Sequence, residues 1–124
     1  MKRLLSFCLL VTLFTAASAQ QTELPIHFKS LTHDFGKIKQ GVPVTTSFQF
    51  RNEESKPVLI ESASAGCGCT TPEFPKEAIT KKHKGYIKVT YNAQAPGAFT
   101  KNVNVKFAGI NQPVVLTITG EVKL

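Results

Sequence analysis

The chain has 124 residues, with fifteen Lys and Arg against eight Asp and Glu and a formal net charge of +7. That length holds one modest hydrophobic core and leaves no room for two full domains. Arg3 and Arg51 are the only arginines, and no nucleic-acid-binding motif accompanies the charge, so nucleic acid is not an expected partner.

The first element is a leader. Lys2 and Arg3 precede an apolar run from Leu4 to Phe14, which gives way to Ala17-Ser18-Ala19. A basic start, a short apolar core and an A-x-A site in that order predict a secretory signal peptide over residues 1–19. The apolar run is shorter than the ~20 residues a spanning helix needs. Cys8 lies inside the run and not at the cleavage point, which argues against a lipid anchor. The expected mature chain, residues 20–124, is a single exported domain, periplasmic or secreted, with no transmembrane segment.

Beyond the leader, apolar residues alternate with period two, the pattern of half-buried strands. Weak candidates come first, at Ile26 to Leu31 and His33 to Ile38. From Val42 to Phe50 the pattern is clearest, with Val42, Val44, Thr46, Phe48 and Phe50 on one face. Pro57 to Ala63 follows, with Val58 and Ile60 facing inward. Ile87, Val89 and Tyr91 define another strand, then Val103, Val105 and Phe107, then Val114, Leu116 and Ile118. Turn signals separate them at Phe35-Gly36, Gln40-Gly41, Asn52 to Ser55, Lys84-Gly85, Ala95-Pro96-Gly97 and Gly109 to Asn111. About seven short strands and almost no helical periodicity predict an all-β, immunoglobulin-like antiparallel sandwich.

One segment carries distinctive chemistry: Ala65-Gly66-Cys67-Gly68-Cys69-Thr70-Thr71-Pro72. In an oxidising compartment Cys67 and Cys69 could close a local disulfide, the glycines at 66 and 68 permitting a tight backbone. A ring this small favours reduction, so the pair is also a candidate redox centre. Two thiolates could hold a soft metal, although structural zinc wants four ligands and His27, His33 and His83 are scattered. Plain thiols packed in a turn are the fourth reading. The thioredoxin-type C-x-x-C in a βαβ setting is absent.

Lys81, Lys82 and Lys84, with His83 between them, form the densest basic run, a candidate anion-binding loop set against a solvated hairpin tip. His33-Asp34 suggests acid–base work, but no nucleophile motif accompanies it. Phosphate-binding glycine loops and H-E-x-x-H are missing, so neither an enzyme nor a cofactor is expected.

Taken together, His33-Asp34-Phe35-Gly36-Lys37-Ile38, Phe48 to Asn52, Cys67-Gly68-Cys69-Thr70-Thr71-Pro72, Gly85 to Tyr91 and Leu116 to Gly120 resemble the bacterial family called domain of unknown function 1573. The resemblance covers about residues 31–122. It implies an exported immunoglobulin-like sandwich akin to the ASH and major sperm protein domains, with Cys67, Gly68, Cys69 and Thr70 as the family hallmark. The chain departs from the family pattern at Ile79 to Lys84, where a proline- and glycine-bearing turn is more usual. A non-catalytic module that contacts an envelope protein or surface component is the expected role. Thiol redox or soft-metal binding through Cys67 and Cys69 is the alternative.

Overall fold

The computed structural model describes residues 25–124; the expected signal peptide and its cleavage point lie outside them. Eight strands follow in order: β1 (Ile26–Phe28), β2 (Thr32–Lys39), β3 (Val44–Asn52), β4 (Ile60–Ala65), β5 (Thr70–Glu73), β6 (Lys84–Tyr91), β7 (Gly97–Phe107) and β8 (Val114–Lys123). They form two four-stranded sheets, ordered β1-β3-β6-β5 and β2-β8-β7-β4. The expected sandwich is therefore present, with one strand more than the seven counted from periodicity.

The added strand is β5, whose Thr70-Thr71-Pro72-Glu73 shows no apolar alternation. It pairs only with β6, setting Pro72 opposite Val89. A proline is tolerated there because β5 is a sheet edge. All pairs are antiparallel except β2 with β8, which joins the first long strand to the last in parallel. Alternation along one strand carries no information about the direction of its neighbour, so only the tertiary structure reveals this pair.

The inward faces match the apolar positions. Phe48, Phe50, Ile87, Val89, Tyr91, Val103, Val105, Phe107, Leu116 and Ile118 are all buried. Phe50 packs edge-on against Phe107 at 5.5 Å between ring centroids, and Phe28 sits 5.4 Å from Phe50. Tyr91 stacks on Phe99 at 4.1 Å further along the core. Val42, expected on the inward face, lies in the connection before β3 and stays exposed, and Leu31, the expected end of the first strand, lies in the connection after β1 and is exposed too. The inward row of β3 instead runs on past Phe50 to Asn52, which is fully buried.

Two glycines make the aromatic packing possible. The Phe50 ring occupies the space a Cβ at Gly85 would need. At Gly120 a Cβ would lie 2.7 Å from Phe99 Cζ and 2.9 Å from the Gly36 carbonyl oxygen.

Candidate functional site

The bend from Gly66 to Cys69 carries the chain from β4, an edge of one sheet, to β5, an edge of the other. It crosses the side of the sandwich and is tied down at both ends. The Thr70 amide donates to the Cys67 carbonyl at 3.4 Å, and the Asn92 amide donates to the Cys69 carbonyl at 3.0 Å. Within the bend Cys67 and Cys69 are joined Sγ to Sγ, with their Cα atoms 5.3 Å apart.

The two sulfurs have different surroundings. Cys69 packs against the hydrophobic core. Cys67 lines a half-open cleft of about 300 Å³, together with Gly66, Thr70, Thr100, Lys101, Asn102 and Asn104. Thr70 is only 4% exposed, and its hydroxyl has the two sulfurs as partners, at 3.6 Å from Cys69 and 4.0 Å from Cys67. Lys101 stands at an inward register position of β7, between Phe99 and Val103, and is half-buried where its neighbours are buried. None of the salt bridges among the described residues involves it. Also among the described residues, no group of three or more His, Cys, Asp and Glu side chains is placed to hold a metal ion.

Lys81 and Lys82 are exposed at the tip joining β5 to β6, and Lys84, also exposed, opens β6. The tip is well fixed. Thr80 Oγ1 and His83 Nδ1 are 2.7 Å apart, and Lys82, at a left-handed φ of 63°, donates its amide to the Asn52 carbonyl. Strand register sets Lys84 opposite Arg51 and Arg51 opposite His27, a basic row that linear sequence conceals. Arg51 also pairs with Glu53 at 3.2 Å.

His33 and Asp34 serve the backbone. The Asp34 carboxylate accepts the Gly36 amide at 2.8 Å across an irregularity in the β2–β8 register, and the His33 ring packs edge-on to Phe35 at 4.6 Å. A broad depression of about 390 Å³ lies over this bulge, lined by Asp34, Lys37, Phe99 and Glu121 among others. It is larger than the Cys67 cleft but joins no nucleophile to a base.

Sequence reasoning missed two residues. Asn52 stands in a predicted turn, yet its Nδ2 donates to the Lys56 and Ile79 carbonyls and its Oδ1 accepts the Glu54 amide. Carrying the β3 alternation two residues further would have found it. Thr70 was grouped with the cysteine motif, but no linear pattern showed that its hydroxyl is buried against sulfur.

Comparison with known proteins gives the fold a context. The structure is similar to a protein of unknown function from Porphyromonas gingivalis W83 (TM-score 0.66, 10% identity, 77% of this chain and 46% of that one). It is also similar to the ASH/PapD-like domain 7 of human CEP192 (TM-score 0.68, 7% identity, 80% and 85%). Part of the VesB protease of Vibrio cholerae shares the fold (TM-score 0.62, 12% identity, 78% and 32%). The chain thus spans less than half the length of the Porphyromonas and Vibrio chains. At such identities the likeness concerns fold alone. No curated protein sequence matches the chain. The profile of the family described as "Protein of unknown function (DUF1573)" matches residues 26–122, and the chain belongs to that family.

Proposed function

We propose that this protein is an exported, non-catalytic immunoglobulin-like module of the bacterial cell envelope that contacts another protein or a surface component. The basic, apolar and small-residue order of residues 1–19 supports export. The observation that carries the interaction role is the edge formed by β4. The other sheet edges are blunted: β1 has three residues, β5 contains Pro72, and β2 carries a bulge with Lys37 and Lys39 beside it. β4 has its own register irregularity between Ile60 and Ser62, at Glu61, but beyond it Ser62 to Ala65 run on without proline, charge or further irregularity and pair with β7 on one side only. Unprotected edge backbone is a template for an added strand.

The test is a photo-crosslinking experiment in envelope preparations with the native protein and a Ser62→Lys/Ser64→Lys variant. A crosslinked partner that the variant loses at unchanged thermal stability supports the reading. A partner retained by the variant moves the interface off β4. A native protein that begins at Met1, where cleavage predicts Gln20, removes export.

A further inference from the structure

We propose that Cys67–Cys69 is a stoichiometric thiol–disulfide exchange site, entered through the cleft at Cys67, with Cys69 as the leaving sulfur and Thr70 as the group that stabilises it. The proposal does not depend on the interaction role of the β4 edge.

Its first support is access. Exchange begins when a thiolate reaches one sulfur of the disulfide. Both cysteines are half-buried, but of the two it is Cys67 that lines the cleft while Cys69 packs against the core, so a thiolate entering by the cleft meets Cys67 first. Lys101 lines the same cleft from an inward position of β7, with no carboxylate among the described residues bonded to it. An unpaired cation there favours the approach of the anionic thiolate over the neutral thiol.

The second support is the buried hydroxyl. Thr70 is 4% exposed, and its hydrogen-bond partners are the two sulfurs. A disulfide sulfur is a weak acceptor. A thiolate is a charged one, and hydrogen bonds to charged groups are the strong ones. The hydroxyl therefore gains when the bridge opens, and it lies nearer Cys69 than Cys67. A buried threonine hydroxyl whose partners among the described residues are sulfurs is better matched to the open state than to the closed one.

The step balances as follows. A substrate thiolate attacks Cys67 Sγ; the Sγ–Sγ bond breaks, a mixed disulfide forms at Cys67, and Cys69 leaves as thiolate facing the Thr70 hydroxyl. A second thiolate, from the same molecule if it is a dithiol or from a second molecule if it is a monothiol such as glutathione, attacks the substrate sulfur and expels Cys67. Two electrons pass from the two thiols to the protein and the substrate becomes a disulfide; one of its two protons ends on Cys67 and the other passes to solvent, leaving Cys69 as the thiolate that Thr70 holds. Exchange with another disulfide reverses the sequence and closes the ring. The cleft, lined by Thr100, Asn102 and Asn104, suits a small thiol or a cysteinyl peptide.

Three measurements on the purified, oxidised full-length protein test this. Brief exposure to glutathione, then to a reduced cysteinyl peptide, followed by acid quenching and mass mapping, should place the mixed disulfide on Cys67 in either case; a response to only one names the source of the thiol. With Ellman's reagent, Cys69→Ser, which leaves Cys67, should react about tenfold faster than Cys67→Ser. Thr70→Val should shift the glutathione exchange equilibrium about tenfold toward the disulfide, the size expected for a lost hydrogen bond to a charged sulfur, and Thr70→Ser should restore it. A bridge inert to millimolar thiols in the folded protein, adducts mainly on Cys69, or a Thr70→Val equilibrium equal to wild type would each overturn the proposal. Because Thr70→Val keeps both cysteines, the equilibrium measurement stands even if a single-cysteine variant fails to fold.

Discussion

Asn52 and Thr70 are the two polar side chains buried among the described residues, and their neighbourhoods differ in kind. Around Asn52 every partner is a backbone amide or carbonyl at 2.8–2.9 Å, from Glu54, Lys56 and Ile79. One side chain thereby pins the loop after β3 to the loop before β6. Around Thr70 the partners are two sulfurs at 3.6 and 4.0 Å. A buried amide with all its bonds made holds a fold together. A buried hydroxyl whose partners are disulfide sulfurs has only weak acceptors while the bridge is closed. Burial alone does not separate structure from chemistry; the identity of the partners does.

That contrast can be broken by substitution, beginning with the largest effect. Asn52→Leu strands two carbonyls and one amide without their side-chain partner, and should destabilise by about 3 kcal/mol, near the upper range for single substitutions. Thermal or urea unfolding measures it; a loss below about 1 kcal/mol would show that water replaces the amide without cost. Gly120→Ala forces the Phe99 ring or the β2 bulge to move and should cost about 1–3 kcal/mol. The same unfolding assay, with near-ultraviolet dichroism of the Tyr91–Phe99 pair, reports which of them yields.

At the cysteine bend the stability effects shrink while the chemical effects grow. The ring spans a sequence separation of two, so Cys67→Ser/Cys69→Ser should cost only about 1–2 kcal/mol by loop closure. The exchange assay should go silent. Thr70→Val should move the unfolding midpoint less than this, leaving the exchange equilibrium as its main readout. Smallest of all, removing Lys81, Lys82 and Lys84 together should leave the melting temperature unchanged, since the tip is held by Thr80, His83 and Asn52. If the basic row with Arg51 and His27 binds an acidic surface, the triple variant should lose salt-sensitive binding to anionic vesicles; binding that ignores salt would discard that role.

The fold was largely legible because period-two patterning is enforced by burial. Phe48, Phe50, Ile87, Val89, Val103, Val105, Leu116 and Ile118 each had to face a core, and each does. The site was legible only as a motif. The cysteine pair and its glycines stand together in the chain, but Lys101, Asn102 and Asn104 reach the cleft from a strand more than thirty residues on. Thr70 is legible as the end of the cysteine motif, but the burial of its hydroxyl against sulfur shows only with β5 placed at a sheet edge. Val42 was misplaced because strand ends are set by pairing, and β3 begins its pairing at Val44.

By itself the sequence determined that the chain builds strands, which faces of those strands are apolar, and where glycine and proline interrupt them, because these follow from side-chain size and solvation along the backbone. Only the tertiary structure decided that β2 and β8 run parallel, that β5 exists, that Asn52 is a buried clasp, and that Cys67 lines a cleft while Cys69 packs on the core. Those features arise from which strands become neighbours, and neighbours distant in sequence are chosen by the packing of the whole sandwich.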